Sequence, residues 1–204
     1  MREFHHRIRN QLAVVRSIFS RTIETAETLE HVADHFPDRL NTVARYQAQL
    51  SLTSEVGLDL EMMVCDELIT VASANDPRVL IEGSEVRIGH DQASALALGI
   101  HELMINSVKY GVLASMDGHG SLRIGWALRD RRLTFYWTET GVSVVASAPI
   151  PERFGRKYIE QALPYQLEAD TSFEIMPGGV RCTIAFTIDS EPLTPRDTSF
   201  VAER

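Results

Sequence analysis

Cysteine is scarce in this 204-residue chain: Cys65 and Cys182 stand alone, far apart and outside any metal-ligand spacing. That excludes a disulfide scaffold and a cysteine-based zinc site, and it fits a reducing cytoplasm. Positive charge is also short. Twenty Lys and Arg face 28 Asp and Glu, a formal net charge of -8. General nucleic-acid binding needs clustered cations to neutralise phosphates, so no nucleic-acid partner is expected. No apolar run reaches the roughly 18 residues of a membrane helix, and no signal-peptide pattern opens the chain, so no membrane contact is expected within it. Residues 3–34 lack both proline and glycine.

What is there is an ordinary balance for a globular protein, 44% apolar and 24% charged. The Pro- and Gly-free stretch carries Ile8, Leu12, Val15 and Phe19 at helical spacing, and predicts one helix over 3–34. His35-Phe36-Pro37-Asp38 reads as a break, because the residue before a proline disfavours helix. A second helix is expected from about Asp38 to Thr53, giving a helical hairpin that needs a second copy to bury its stripe as a four-helix bundle.

From Leu58 the texture changes. Leu58–Ala74 reads as helix, Arg78–Glu82 and Glu85–Ile88 as short strands, and Gln92–Tyr110 as a strong helix. Ser121–Leu128 with Leu133–Thr138 forms a hairpin, Glu152–Glu168 a helix, and Ser172–Met176 with Val180–Ile188 another hairpin. The irregular alternation with antiparallel hairpins points to an α+β sandwich, not a doubly wound parallel sheet. The division expected is 1–56 for the hairpin, 57–189 for the α/β domain and 190–204 for a polar, disordered tail.

Two segments carry chemistry. On a wheel of about 100° per residue, Ile8, Leu12, Val15 and Phe19 fall within roughly 60° of one another. His6 lies about 150° from the centre of that stripe and His5 only about 50°. His6 therefore points to solvent, where a neutral imidazole can act as a nucleophile. Taken alone, such a histidine is an ordinary surface residue. The second segment, His101 to Gly111, places Glu102, Asn106 and Lys109 at i, i+4 and i+7 on one helix face. A carboxylate, an amide oxygen and an ammonium together suit magnesium holding a polyphosphate.

Together these runs resemble a known family. His6-Arg7-Ile8-Arg9-Asn10 resembles the phosphoacceptor box of HWE-type histidine kinases, close to the HisKA-2 group. His101-Glu102-Leu103 through Asn106 and Lys109-Tyr110-Gly111 resembles their N box, Trp137-Thr138-Glu139 their Trp-x-Glu motif, and Phe154-Gly155 opens the expected later helix. The resemblance spans about residues 3–188. It implies a dimerisation and phosphotransfer hairpin followed by a Bergerat-type (GHKL) ATP-binding sandwich, working with ATP and Mg2+ as a homodimer. It implies His6 as phosphoacceptor, Asn106 as magnesium ligand, and Glu102 positioning metal-bound water or phosphate. Lys109 would touch phosphates, Glu139 read adenine, and Gly141 and Gly155 line nucleotide and lid, with Trp137 packing beside them. The phosphoryl group would pass to an aspartate on a response-regulator receiver domain.

The chain departs from the family where Arg153-Phe154-Gly155 replaces Gly-Phe-Gly, where Gly141-Val142-Ser143-Val144 is poor in glycine, and where Glu168-Ala169 replaces a later Gly-Gly. These changes favour an alternative, a degenerate kinase serving as phosphotransfer or scaffold protein without ATP turnover. Intact Glu102, Asn106, Lys109 and Glu139 favour the active enzyme. A serine-directed kinase on the same fold would have no hairpin at residues 3–54.

Overall fold

The chain opens with two helices, α1 (Arg2–Thr25) and α2 (Leu29–Leu52). The computed structural model describes residues 2–26, 28–52, 57–71, 73–114, 118–142 and 154–189. Arg153, Ser143-Val144 and the expected tail at 190–204 lie outside these. The hairpin is present, but its break is not at His35–Asp38. It falls at Ala26–Thr28, and Pro37 sits inside α2. The Thr28 hydroxyl caps the new helix, accepting the His31 N–H at 3.1 Å. A proline in a helix interior costs about 3 kcal/mol. Packing on both sides of it offsets this: the Phe36 ring meets Phe19 edge to face at 5.3 Å, and Arg39 is buried.

Within the chain part of the expected α1 stripe stays uncovered among the described residues. Ile18 and Thr22 are buried, alongside Val43 of α2, while Leu12 and Phe19 stay 64% and 46% exposed and Ile23 is exposed too. The side chain of His6 lies outside the described residues; its backbone is within α1.

The Leu58–Ala74 expectation is corrected at its start. Leu58–Asp59 forms a short strand β1, and the helix α3 is Leu60–Thr70. Asp59 ends the strand and caps the helix, its carboxylate accepting the Met62 N–H at 3.1 Å. Strands β2 (Val79–Gly83) and β3 (Arg87–Ile88) follow; β3 pairs with β1, antiparallel. Then come the long helix α4 (His90–Tyr110) and the hairpin strands β4 (Ser121–Arg129) and β5 (Arg132–Thr140).

The last helical stretch begins as α5 (Phe154–Lys157), widens through a π turn (Tyr158–Ala162) and continues as α6 (Leu163–Leu167). Pro164 offers no N–H to the Glu160 carbonyl, so the helix widens just ahead of it. A final hairpin pairs β6 (Asp170–Met176) with β7 (Gly179–Thr187).

The main sheet runs β2-β4-β5-β7-β6, parallel only between β2 and β4. Period-two alternation sends Leu122, Ile124, Leu133, Phe135, Trp137, Cys182, Ile184 and Phe186 to one face, all fully buried. Leu96, Ile100 and Leu103 of α4 and Tyr158, Ile159 and Leu163 share that core. The result is a helical hairpin followed by an α/β sandwich with helices on one side of a mixed sheet, the expected fold class.

Candidate nucleotide-binding site

The heart of the site is one face of α4. Its apolar residues are held down by the sheet, which turns Glu102, Asn106 and Lys109 the other way, toward α2 and the start of α5. These three line one cavity with His31, His35, Asp38, Arg39, Phe154 and Gly155. Glu102 is buried, Asn106 half-buried and Lys109 exposed. Gly155 belongs with them. A Cβ at that position would stand 2.9 Å from Glu102 Oε2 and 3.1 Å from Asn106 Nδ2, so only glycine permits this approach.

The sequence reading missed the side chain that dominates this cavity. The Arg39 guanidinium is 2.7 Å from Glu102 Oε1 through Nε and 3.4 Å from Oε2 through Nη2. Its Nη1 donates to the Thr22 hydroxyl at 3.2 Å, and its plane lies 3.6 Å over the Phe154 ring. One turn back, His35 Nε2 meets Lys109 Nζ at 3.0 Å, and His31 packs against His35 with ring centroids 4.5 Å apart. Burial holds the His35 pKa below its usual value, helped by the Lys109 charge. The signal was present in the sequence. His31, His35 and Arg39 stand at i, i+4 and i+8, a helix face that answers Glu102, Asn106 and Lys109. Reading a break at His35–Asp38 hid it.

His101 also borders the cavity, but its ring is engaged on the α3 side. Its Nδ1 lies 2.9 Å from Oε2 of Glu67, a carboxylate buried in α3. The other Glu67 oxygen is held by Arg45 Nη2 and accepts the Tyr46 hydroxyl at 3.2 Å. One carboxylate thus ties α2, α3 and α4 together. Sequence reasoning passed over Glu67, because a lone Glu in an amphipathic helix looks like a solvated residue.

Glu139 and Gly141 stand at the far end of α4. Glu139 is 3% exposed. Its Oε2 accepts the Val112 N–H at 2.7 Å and its Oε1 the Trp137 indole N–H at 2.9 Å. Trp137 is fully buried and orients this carboxylate. Gly141 has φ +73°, and a Cβ there would approach Gly120 Cα at 2.8 Å. Its glycine is required by the backbone whatever it lines. The structure therefore joins Glu102, Asn106, Lys109 and Gly155 in one cavity, and sets Glu139 and Gly141 apart from it.

Comparison with known proteins agrees with this architecture. Residues 3–85 match the family model described as HWE histidine kinase. The blue-light-activated histidine kinase of Brucella anthropi is 26% identical over 183 residues, covering 88% of this chain and 37% of its own length. Its namesake in Brucella ovis is 25% identical over 198 residues, 95% and 39% of the two lengths. Over residues 3–85 the chain is thus similar to the HWE histidine kinases. It spans well under half the length of these curated relatives.

Solved histidine kinases share the fold at low identity. The Erythrobacter litoralis EL346 blue-light activated histidine kinase superposes with a TM-score of 0.64 at 16% identity, covering 91% of this chain and 58% of that one. Acinetobacter baumannii histidine kinase AdeS gives 0.54 at 14%, covering 91% and 98%. This likeness shows a shared fold over most of the chain. Among the described residues no helix is long and apolar enough to cross a membrane.

Proposed function

We propose that this chain is the catalytic core of a two-component sensor histidine kinase. Residues 1–56 act as the dimerisation and phosphotransfer hairpin and residues 57–189 as the ATP-binding domain. One observation carries the reading: Glu102, Asn106, Lys109 and Gly155, chosen from two distant segments, line a single cavity. That cavity faces the hairpin bearing His6.

Asn106 and Glu102 supply two oxygen-bearing side chains, too few for a protein-only cage. Among the described residues no cluster of three or more His, Cys, Asp or Glu is placed for a metal. Such a sparse set suits magnesium, which keeps waters and phosphate oxygens in its shell. When bound, the ion neutralises phosphate charge. Lys109 adds a compact positive charge beside Asn106, and Gly155 lets backbone come close to the phosphate chain. Glu139, held by Val112 and Trp137, keeps lone pairs for an exocyclic amine, so it fits an adenine-reading role.

The transfer is written on His6. One imidazole nitrogen attacks the γ-phosphorus, the bond from phosphorus to the β,γ-bridging oxygen breaks, and ADP leaves with the electron pair. The ring's displaced proton goes to water. The phosphoryl group then passes to a receiver-domain aspartate. Leu12, Phe19 and Ile23 remain exposed on α1, which supports a homodimer that covers this stripe.

The test is incubation with γ-labelled ATP and magnesium. Acid-labile label on the wild type that disappears in His6→Ala is expected. An unlabelled wild type ends the kinase reading, and label that survives His6→Ala ends the assignment of His6.

A further inference from the structure

Three groups of the α4 face that the proposed function gives to nucleotide and metal are covered by other parts of the chain. Glu102 carries Arg39, and Lys109 carries His35. Asn106 and Glu102 both lie against Gly155, with no room even for a Cβ between the α5 start and Glu102. A phosphate group cannot enter that gap, because each of its oxygens needs about 3 Å to its neighbours. The Phe154 ring stacks directly on the Arg39 guanidinium. Arg39 thus grips α4, α5 and, through Thr22, α1 at once.

We infer that Arg39 is a latch. It holds α2 and α5 shut over the Glu102–Asn106–Lys109 face, so that nucleotide entry and release of α2 are one coupled equilibrium. The inference rests on the nucleotide reading of that face. Two features suit a latch. The guanidinium fork matches the carboxylate with two hydrogen bonds, which a point charge would not reproduce. And the grip joins the hairpin to the α/β domain, so any cue that shifts α2 alters access to the site. By linkage, nucleotide must loosen α2 as much as loosening α2 favours nucleotide. His35 on Lys109 extends the contact by one turn.

Calorimetry with Mg-ADP on the full chain tests this with Arg39→Lys, which keeps the charge but loses the fork and the stack, and Arg39→Gln, which loses the charge as well. Both variants are expected to bind roughly tenfold tighter than wild type. Backbone amides of residues 31–43 in the wild type should exchange faster when Mg-ADP saturates it. Thr22→Val, which removes one of the Arg39 hydrogen bonds together with the hydroxyl's bond to the Ile18 carbonyl within α1, should move affinity in the same direction by less. Should the Arg39 variants fail to fold, Thr22→Val and the exchange measurement on wild type decide alone.

If Arg39→Lys binds like wild type and Arg39→Gln binds more weakly, Arg39 is a cation that attracts phosphate, and the latch is wrong while the site stands. Unchanged affinity in every variant, with α2 exchange indifferent to Mg-ADP, also overturns it. Absence of binding in all chains removes the nucleotide reading and the latch with it; binding only in the variants supports both.

Discussion

Glu67→Gln isolates the carboxylate that ties three helices. The Glu67 side chain is 1% exposed and serves three partners, namely Arg45, Tyr46 and His101. The amide keeps the shape and one acceptor oxygen but removes the charge. Arg45, about a third exposed, can turn to water, so its share of the loss is small. His101 is buried, 8% exposed at its side chain, and cannot do the same. Leaving a buried polar partner unsatisfied costs about 1–3 kcal/mol. The expected loss is therefore about 2 kcal/mol for Glu67→Gln and about 3–4 kcal/mol for Glu67→Ala, which also opens a cavity. For a domain of this size about 2 kcal/mol lowers Tm by roughly 4–8 °C. Urea unfolding followed by far-UV circular dichroism measures it, with His101→Gln and the double variant completing a cycle. A coupling of about 1 kcal/mol or more between Glu67 and His101 is expected. A Glu67→Gln loss under about 0.5 kcal/mol, the scale of an ordinary surface change, would refute the claim that this carboxylate binds the helices together.

Three further outcomes follow from the same geometry. The lowered His35 pKa means the unfolded chain takes up its proton first as pH falls. Stability from this group is complete above its unfolded pKa of 6.5 and is lost as pH drops through the lower folded value. Urea titrations at pH 7.5 and 5.5 should show wild type losing more than His35→Gln, and equal losses would contradict the burial beside Lys109, His31, Arg39, Asp38 and Glu102. Gly155→Ala should cost about 1–3 kcal/mol by overpacking against Glu102 and Asn106; a neutral thermal melt would show that the close approach does not exist in solution. Leu12→Asp with Ile23→Asp should turn a dimer into monomers in sedimentation equilibrium, with far-UV circular dichroism nearly unchanged, because both side chains are exposed within one chain. Persistence of the dimer would place its interface elsewhere.

The strands were legible because one face of the sheet is buried. Leu133, Phe135 and Trp137 alternate with Thr134, Tyr136 and Thr138, and a period of two cannot be mistaken for helix over nine residues. The α4 face was legible for the same reason in helical period. The break in the hairpin was not. Pro37 is a strong local signal, and only contacts distant in sequence, Phe36 on Phe19 and Arg39 on Glu102, outweigh it. The true break is marked by a single threonine cap, a signal too common to stand out. Arg39 and Glu67 were invisible individually because a charged residue declares itself buried only through a partner 63 or 34 positions away. Glu139 was named only through the resemblance, and its two hydrogen bonds to Val112 and Trp137 depend on a strand and a helix end meeting in space.

The π turn at Tyr158–Ala162 has a bearing on how this chain should be compared with its relatives. A wider turn absorbs about one residue's worth of rotation, roughly 100°. Phe154 before it, Tyr158 at its start, and Leu163 and Leu167 after it can then share one buried side. A relative with a plain α-helix here reaches the same packing with one residue fewer. Its alignment to this chain needs a one-position gap within Tyr158–Ala162, and an ungapped alignment would pair core residues of one helix with surface residues of the other from Leu163 onward.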